Sequence, residues 1–301
     1  MKKQPLVSII MNCYNGEEFL REALESVLSQ TYKNWELIFW DNQSSDESST
    51  ILKSFNESRF HYYYANEHRN LYDARNLAVR VSKGDFVAFL DTDDTWVSNK
   101  LELQVPCFDD PNVALVYGNY WIHNNKKNKY IKRYRRVLPS GNILRYLLKD
   151  YVVGLLTIIV RKKAYLTLEK QFDSRFPMSG DFDFVIRLGF NNCFAAIQQP
   201  IATYRWHGNN NSKLYFEKQI KELELWYQEM SVNKKFSTIR ELLFVKVNIN
   251  YHKGKKNAEE GNFLLAMKYF LLMPLCLNKF KLLFAMVFPN FFVKLFYLTK
   301  N

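Results

Sequence analysis

Short apolar runs alternate with segments of helical periodicity over the first hundred residues, and this order limits the folds open to the chain. The expected elements, in chain order, are strand Val7–Met11, helix Glu17–Gln30, strand Trp35–Trp40, helix Glu47–Phe55, strand Phe60–Tyr64, helix Leu71–Val81 and strand Asp85–Leu90. Strands that alternate with helices usually pair in parallel. The order therefore predicts an α/β protein with a mostly parallel, doubly wound sheet.

Polar clusters follow three of these strands, at residues 12–16, 41–46 and 91–94. In doubly wound sheets, ligands bind beyond the carboxyl ends of the strands. Three loops at that edge can converge on one ligand, so we expect the functional site there.

The loop after the fourth strand places three carboxylates within four positions, at Asp91, Asp93 and Asp94. Carboxylates this close repel each other, and burying them without partners is costly. A divalent cation relieves the repulsion, and Mg²⁺ or Mn²⁺ often shares one or two carboxylates with the phosphates of a substrate. The alternative is a solvated acidic turn in which Asp94 or Thr95 caps the next helix.

Composition adds limits on partners and compartment. The chain has 301 residues, 48% of them hydrophobic, enough for one large α/β domain and an appendage. Its formal charge of +12 suits nucleotide diphosphates, nucleic acid or anionic lipid. The four cysteines are scattered, which indicates free thiols in a reducing compartment. We expect neither a signal peptide nor a transmembrane helix, because the apolar stretches fall short of the roughly 18 to 20 residues that span a bilayer.

Three further elements are expected in the middle of the chain: strand Val113–Tyr117, a buried strand Leu155–Val160 and helix Asp181–Leu188. Between Lys126 and Arg136 there are seven basic residues and no acidic ones. We expect a hairpin or a mobile loop here, near the functional edge. A solvated basic loop without a ligand is an equal alternative.

Helical patterns dominate beyond residue 214, so we expect an α/β domain over residues 1–214 and a helical region over residues 215–301. The stretch from Gly261 to Pro274 resembles a single helical hairpin of a tetratricopeptide-like type, which cannot form a solenoid alone. Residues 215–301 contain 14 Lys and Arg but 7 Asp and Glu. Within them, the basic and aromatic segment Lys281–Lys300 favours a helix on a membrane surface, although a helix packed on the α/β domain has the same pattern.

Six short motifs resemble those of the family 2 glycosyltransferases, which have the A-type glycosyltransferase fold. They are the opening strand Val7–Asn15, the loop Asp41–Asp46, the tripeptide Ala74–Asn76, the acidic motif Leu90–Asp94, the segment Gly180–Asp183 and the closing segment Tyr204–Ser212. The resemblance covers roughly residues 5–212. Each motif alone is weak, but six in the expected order form a strong signal.

The sequence departs from the family pattern at several positions. Asn12 and Cys13 stand where the family usually has Pro and Thr, and Asn42 and Gln43 where it has Asp and Gly. Gly180 stands where an acidic residue is usual. These departures leave base recognition and sugar choice open.

The resemblance implies a nucleoside-diphosphate sugar donor, in most cases a UDP-sugar, and residues to bind it. Asp41 would accept a hydrogen bond from the imide N–H of the base, with Asn15 and Tyr14 beside the base and ribose. A local turn at Asp41 and a core position for Tyr14 are the alternatives. The further donor-binding candidates are Asp73, Arg75, Asn76, Asp91 and Arg205. Arg75 would hold the diphosphate or support the acidic motif, and a purely structural pair with an aspartate is equally open.

The same resemblance implies an Mn²⁺ or Mg²⁺ cofactor. Asp93 is the best candidate ligand, Asp94 ligates or orients, and His207 would complete the shell unless it is structural. Asp181 would take the proton from the acceptor hydroxyl, with Asp183 as the second candidate and a simple helix N-cap as the alternative for Asp181. With one base and no carboxylate nucleophile, attack should invert the anomeric carbon, while metal and basic groups stabilise the leaving diphosphate.

The implied acceptor is a glycan or a lipid-linked glycan, since bacterial members of the family commonly build surface polysaccharide on lipid carriers. This implies a cytoplasmic enzyme, peripheral at the inner face of the plasma membrane, where a basic tail suits an anionic surface. No nucleic-acid module is visible, and Asn12–Gly16 is not the glycine-rich phosphate loop of a nucleotidyltransferase. A non-catalytic protein that binds sugar nucleotides or glycans on the same fold is the remaining alternative.

Overall fold

The computed structural model describes residues 4–207, 210 and 215–287. The predicted closing segment Tyr204–Ser212 and the predicted surface helix Lys281–Lys300 therefore lie partly outside the described residues. The predicted domain division after residue 214 falls in an undescribed stretch and stays a prediction.

The chain divides into two compact units. The first comprises Met1–Leu147 and Tyr151–Leu214, and the second comprises Leu148–Asp150 and Tyr215–Asn301. The predicted functional residues all belong to the first unit, which is built around one sheet.

The strands of this sheet lie in the order β3-β2-β1-β4-β8-β6-β9-β5, and β7 pairs with β6 outside this path. In chain order the described strands are β1 (Val7–Cys13), β2 (Trp35–Asp41), β3 (Phe60–Tyr64), β4 (Phe86–Phe89), β5 (Thr95–Trp96), β6 (Val113–Asn124), β7 (Lys129–Lys132), β8 (Ile159–Arg161) and β9 (Cys193–Trp206). The described α-helices are α1 (Glu17–Leu28), α2 (Ser48–Ser54), α3 (Leu71–Val81), α4 (Lys100–Gln104), α5 (Leu144–Lys149), α6 (Lys162–Leu166), α7 (Gly180–Leu188), α8 (Phe216–Val232), α9 (Leu243–Glu259), α10 (Phe263–Leu271) and α11 (Leu277–Val287). Strands and helices alternate over the first hundred residues, as predicted.

The first four strands are parallel. β1 lies between β2 and β4, with Ile10 opposite Ile38 on one side and Phe89 on the other, and β2 pairs with β3 in the same sense. This part confirms the predicted α/β class. Beyond β4 the sheet is mixed, because β8 is antiparallel to β4 and β6 while β6 and β9 are parallel.

Every residue of β1 is buried, so this strand lies at the centre of the core. Val7, Ile9 and Met11 belong to one apolar cluster with Leu20 and Leu24 of α1. Because a central strand is covered on both faces, its sequence is a continuous apolar run rather than an alternation. The helical spacing of α1 supplies the complementary apolar face.

The predicted buried strand Leu155–Val160 is wrong in its first half. Leu155–Thr157 form a short 3₁₀ helix, and β8 begins only at Ile159. The carbonyl of Gly154 closes this turn by accepting hydrogen bonds from the N–H (2.9 Å) and the hydroxyl (2.7 Å) of Thr157. An apolar run shows that a segment is buried but not whether it is extended, which explains the error.

The basic segment forms a hairpin, one of the two forms expected for it. β7 pairs antiparallel with the end of β6, where Trp121 lies opposite Lys132 and Asn124 opposite Lys129. β6 runs to Asn124 instead of ending at Tyr117, because its second half also pairs with β9. The strand β9 itself carries no simple apolar signal and was not expected from the sequence.

The second unit contains α8 to α11. Val247, Tyr251, Met273 and Leu282 form a small core between α9 and the two helices that follow. Gly254 of α9 allows close packing, since a Cβ there would lie 2.6 Å from the Leu282 side chain. None of the helices in the described part of the chain combines the length and apolarity needed to cross a bilayer.

Candidate active site

The loops after β1 and β2 are tied together at the carboxyl edge of the sheet. The N–H of Asn42 donates to the carbonyl of Cys13 (2.8 Å), and the N–H of Ser45 donates to the side chain of Asn15 (2.8 Å). The N–H of Asn15 donates in turn to the hydroxyl of Ser44 (3.1 Å). Asn15 has a φ of +52°, a left-handed conformation that asparagine adopts more readily than most residues. Two of the three predicted polar loops therefore form one surface.

Asp41 ends β2 and is almost fully buried. One carboxylate oxygen accepts a hydrogen bond from the N–H of Ser44 (2.7 Å), and the other accepts from the hydroxyl of Tyr62 (2.7 Å). The contact with Ser44 is the local turn expected as the alternative role. Each carboxylate oxygen keeps a second lone pair, so base recognition by Asp41 stays a prediction.

Tyr14 lies on the surface of these loops. Its side chain is 57% exposed, and its ring meets the ring of His68 edge-on with 4.5 Å between the centroids. The alternative of a core aromatic is therefore wrong, and the exposed ring is available for a ligand to stack on.

The carboxylates after β4 have separate partners. Asp91 forms an ion pair with the buried guanidinium of Arg75 in α3. Asp93 Oδ2 lies 3.1 Å from Nε2 of His207, which is 114 residues away in the sequence. The fold thus brings together three predicted site elements: the acidic motif, the helix start at Arg75 and the histidine after β9.

Asp94 and Arg205 form a second connection between β9 and the acidic motif. Asp94 is buried, and its Oδ1 accepts a hydrogen bond from the backbone N–H of Arg205 (2.9 Å). The Arg205 guanidinium pairs with Glu22 and lies 4.5 Å from the ring centroid of Phe19. Glu22 and Phe19 were not expected at the site, because their spacing is that of ordinary residues in an amphipathic helix. The contacts of Asp94 favour orienting the loop over binding a metal.

Burial raises the pKa of both Asp93 and Asp94 above the ordinary value for an aspartate. At Asp93 the charge of Asp91 adds to burial, and the hydrogen bond with His207 offsets part of the rise. At Asp94 the charges of Asp93 and Asp91 add to burial, and the N–H of Arg205 offsets part of it. Negative charge is poorly compensated in this loop, a situation that a bound cation would relieve.

Asp181 lies at the start of α7 and is linked to Tyr72 of α3. Its backbone N–H donates to the Tyr72 hydroxyl (3.0 Å), and that hydroxyl lies 3.4 Å from Oδ1 of the same aspartate. Burial raises the pKa of Asp181, while the N–H of Phe182, the charge of Arg75 and the Tyr72 hydroxyl offset part of the rise. A raised pKa makes the carboxylate a better proton acceptor.

Gly180 allows α7 to approach Tyr72 this closely. A Cβ at Gly180 would lie 2.6 to 2.9 Å from three carbon atoms of the Tyr72 ring. An acidic side chain, usual in the family at this position, would collide with the ring. The position of the Tyr72 ring therefore favours glycine at residue 180.

Arg75 joins the region of Asp181 to the acidic motif. Its guanidinium lies 5.2 Å from the ring centroid of Tyr72 and forms the ion pair with Asp91. A continuous series of contacts thus runs from Asp181 through Tyr72 and Arg75 to Asp91. The structural Arg–Asp pair expected as one alternative is present, and it lies within the predicted site.

Asp183, the second candidate for the base, is occupied by an ion pair. Both of its carboxylate oxygens accept hydrogen bonds from Arg187 Nε, at 2.9 and 3.0 Å, and the carboxylate is buried. These contacts leave Asp181 as the more accessible of the two.

Two further donor-binding candidates have local contacts in α3. The carboxylate of Asp73 accepts a hydrogen bond from the side chain of Asn70 (2.9 Å) at the start of the helix. The amide of Asn76 donates to the carbonyl of Phe172 (2.9 Å) and accepts from the Tyr165 hydroxyl (2.5 Å). Asn76 therefore holds a neighbouring loop, and donor contact by either residue stays a prediction.

Two buried polar groups at the same edge have no hydrogen-bond partner among the residues that the structure describes. They are the side-chain amide of Asn12 and the indole N–H of Trp40, which lie opposite each other on β1 and β2. Buried polar groups in folded proteins almost always have a hydrogen-bond partner. The pair is thus a candidate ligand contact. Its only sequence signal is that Asn12 replaces the usual proline.

The donor set fits a divalent cation that binds together with a diphosphate. Among residues 4–207, 210 and 215–287, no group of three His, Cys, Asp or Glu side chains is arranged to hold a metal ion unaided. Asp93 and His207 nevertheless offer one carboxylate and one imidazole. Mg²⁺ and Mn²⁺ commonly complete such a partial shell with phosphate oxygens and water.

Comparison with known sequences identifies the class of protein. A model described as glycosyl transferase family 2 matches residues 8–166, more than half of the chain, and the chain belongs to this family. It is a glycosyltransferase, as the motifs predicted. WfgD of Escherichia coli, a UDP-Glc:alpha-D-GlcNAc-diphosphoundecaprenol beta-1,3-glucosyltransferase, is 36% identical over 192 residues, which are 64% of this chain and 73% of WfgD. TuaG of Bacillus subtilis, whose name connects it with teichuronic acid biosynthesis, is 30% identical over 165 residues, 53% of this chain and 64% of TuaG.

Comparison with solved structures confirms the A-type glycosyltransferase fold. The mannosyltransferase PcManGT from Pyrobaculum calidifontis, solved with GDP-Man and Mn²⁺, superposes with a TM-score of 0.65. The match covers 90% of this chain and 75% of PcManGT at 15% sequence identity. At this identity the likeness concerns the fold alone.

Proposed function

We propose that this glycosyltransferase moves a sugar from a UDP-sugar to a hydroxyl group of a glycan or lipid-linked glycan, with inversion at the anomeric carbon. The observation that carries the proposal is the continuous contact from Asp181 through Tyr72 and Arg75 to Asp91. It joins a candidate base to the acidic motif, so proton removal and departure of the diphosphate share one site.

Asp181 is the base in this proposal. An acceptor hydroxyl must lose its proton as its oxygen bonds to the anomeric carbon, and a carboxylate within hydrogen-bond reach can take that proton. The hydroxyl of Tyr72 fixes the position of Asp181 through two contacts. Asp183 is the weaker candidate, because Arg187 already binds both of its oxygens.

The site must also stabilise the negative charge that develops on the leaving diphosphate. Asp93 and His207 would hold an Mn²⁺ or Mg²⁺ ion, and Asp94 would orient the loop through its bond to Arg205. When bound, the ion would act as a Lewis acid on the diphosphate oxygens. Arg75 keeps Asp91 in place beside this pair.

Inversion is supported by the partners of the carboxylates. Retention through a covalent intermediate needs a carboxylate nucleophile close to the anomeric carbon as well as a base. In the acidic motif Asp91 is paired with Arg75, and Asp94 is buried against the backbone of β9. Asp93 is assigned to the metal. Direct attack by the acceptor oxygen, opposite the leaving group, inverts the centre.

The relatives support the choice of substrates. The name of WfgD gives UDP-Glc as donor and a lipid diphosphate-linked sugar as acceptor. The charge of +12 suits two anionic substrates. A lipid-linked acceptor would require the enzyme to work at a membrane surface, so we infer a peripheral enzyme at the cytoplasmic face.

Binding and transfer can be measured separately. In a thermal-shift panel of sugar nucleotides, a UDP-sugar should raise the Tm only when Mn²⁺ or Mg²⁺ is present. Asp181→Asn should retain this shift and lose transfer, measured as UDP release in the presence of a diphosphate-linked sugar acceptor. Asp85→Ala is the control. Asp85 is an exposed carboxylate that precedes the first residue of β4, whereas the acidic motif follows the last residue of that strand.

Three results would count against parts of the proposal. Transfer by Asp181→Asn at the wild-type rate would exclude this base. A Tm shift and a transfer rate that both survive chelation would exclude the metal. Donor binding without transfer to any hydroxyl acceptor in the wild type would favour a binding protein on the same fold.

A further inference from the structure

Helices α10 and α11 of the second unit each expose an apolar stripe. The stripes comprise Leu264, Met267 and Leu271 on α10 and Leu277, Phe280, Phe284 and Val287 on α11. Positions three, four and seven apart lie on one face of a helix. The exposed fraction reaches 90% at Leu264, an unusual value for so large an apolar side chain. We name these seven residues the outer stripes.

The outer stripes are not the faces that build the core of this unit. Ala266 of α10 and Leu282 and Ala285 of α11 are buried. Leu282 packs in the cluster that contains Tyr251 of α9. At about 100° per residue, the outer stripes lie on the opposite side of each helix from these buried positions. Each helix therefore has an inner apolar face that is packed and an outer apolar face that is exposed.

The charges beside the stripes have one sign. Residues 261–287 contain three lysines and no acidic residue. Lys268 and Lys281 are exposed and follow Leu264 and Leu277 by four positions, so each lies on the same face as a stripe. A lysine side chain can lay its stem along apolar material and keep its ammonium group at a charged surface. The combination fits an anionic lipid surface.

A second copy of the chain fits this face less well. A two-fold contact brings identical surfaces together. It would therefore set the lysine-bearing stripes against each other, with no acidic residue among residues 261–287 to neutralise them. An anionic bilayer supplies both the apolar layer for the stripes and the negative charge for the lysines.

We propose that α10 and α11 dock on an anionic phospholipid surface. The outer stripes enter the boundary between head groups and acyl chains, and Lys268 and Lys281 bind the head groups. This inference extends the peripheral location proposed above. It names the surface responsible, and it needs no assumption about the sugar or the base of the donor.

Vesicle co-sedimentation of the full chain tests the proposal. We expect binding to vesicles that contain phosphatidylglycerol and much weaker binding to vesicles of phosphatidylcholine alone. A variant with Leu264→Ser, Leu271→Ser, Phe280→Ser and Phe284→Ser should lose at least about tenfold in affinity for the anionic vesicles. Lys268→Gln with Lys281→Gln should lose about fivefold per lysine, and the loss should vanish at high salt.

The controls use exposed apolar residues elsewhere. Val137→Ser and Leu166→Ser replace side chains of the first unit that are 80% and 52% exposed, and vesicle binding should be unchanged. Thermal unfolding checks that the four-serine variant is folded, which we expect because all four replaced side chains are exposed. Its transfer rate with a water-soluble diphosphate-linked acceptor should equal that of the wild type.

Several results would overturn the proposal. One is a wild type that does not bind anionic vesicles, and another is a four-serine variant that binds them as strongly as the wild type. A third is an oligomer, seen by sedimentation velocity, that the four substitutions dissociate without any change in vesicle binding, because the face would then join copies of the chain. Absence of transfer with every donor and acceptor would instead count against the proposed function and leave vesicle binding as a separate result.

Discussion

The loops after β2 and β4 both place aspartates at the carboxyl edge of one sheet, but they treat negative charge differently. In the first loop the protein supplies hydrogen-bond donors. Asp46 accepts from the backbone N–H of Glu17 (2.9 Å) and of Ser48 (3.1 Å). Burial alone would raise the pKa of Asp46, yet hydrogen bonds from Ser48 and Glu17 lower it overall. Its charge is therefore stabilised by the fold itself.

In the second loop the negative charges of Asp93 and Asp94 destabilise the folded state. Burial and the neighbouring charges raise the pKa of Asp93 and Asp94, and the bonds to His207 and Arg205 offset this only in part. A group that the fold leaves poorly compensated is a candidate for function, because selection for stability alone would remove it. We therefore expect the loss of Asp46 to weaken the fold and the loss of Asp93 to weaken transfer.

The largest expected effect is that of Asp93→Ala. Transfer should fall by about 10³-fold, the range seen when one charge-stabilising group is removed from an active site. The Tm at neutral pH should stay equal or rise, because a carboxylate with a raised pKa destabilises the folded state when it is ionised. UDP release and thermal unfolding measure the two quantities. A lowered Tm with normal transfer would instead show that Asp93 stabilises the fold and does not serve transfer.

The pH dependence of transfer sharpens the assignment of the base. Asp181 must be ionised to accept a proton, and its pKa is raised by burial. The kcat/KM of the wild type should therefore fall on the acid side at a pH above the ordinary aspartate value of about 3.9. Asp181→Asn should lose about 10² to 10⁴-fold and show no such fall. Its Tm at neutral pH should rise, because a carboxylate with a raised pKa destabilises the folded state when it is ionised. This penalty develops as the pH rises above the unfolded value of about 3.9 and is complete above the raised folded pKa.

A smaller effect is expected at Tyr72, which acts through Asp181. Tyr72→Phe removes the hydroxyl that accepts from the Asp181 N–H and lies near its carboxylate. We expect kcat to fall by about tenfold with an unchanged KM for the donor. Because this hydroxyl lowers the pKa of Asp181, the acid fall in the pH profile should move to higher pH. A lower rate with an unmoved profile would indicate a purely structural role.

The sequence predicted which loops lie at the carboxyl edge of the sheet, but it did not predict which side chains of those loops contact each other. Continuous apolar runs defined β1, β2 and β4, and the polar residues after them lie at one edge because the strands are parallel. Local pattern could not predict the pair of Asp93 and His207, since it depends on β9, an irregular strand with bulges against β6. The contact between Gly180 and Tyr72 was equally invisible, because a glycine shows only that a side chain is absent.

The same limit explains the incomplete assignments within the acidic motif. The spacing identified three carboxylates that repel each other, but it could not predict which residue each carboxylate pairs with. Arg75 binds Asp91 only because α3 packs against the sheet with its second turn beside the loop. The role of Asp94 depends on a backbone N–H of β9, which carries no side-chain signal at all.

The smallest expected effect lies in the first loop and concerns stability. Asp46→Ala removes the acceptor for the first N–H of α1 and should lower the free energy of unfolding by about 1 kcal/mol, as the loss of a helix cap does. Transfer should change little. The folded pKa of Asp46 is lowered, so its stabilisation is present at neutral pH and disappears as the pH falls below about 4. Urea unfolding of the wild type and of Asp46→Ala, at neutral pH and below about pH 4, measures the difference in the free energy of unfolding. If Asp46→Ala strongly lowered the transfer rate while the free energy of unfolding hardly changed, Asp46 would serve substrate binding as well as stability. Both loops would then carry functional aspartates, in contrast to the expectation above.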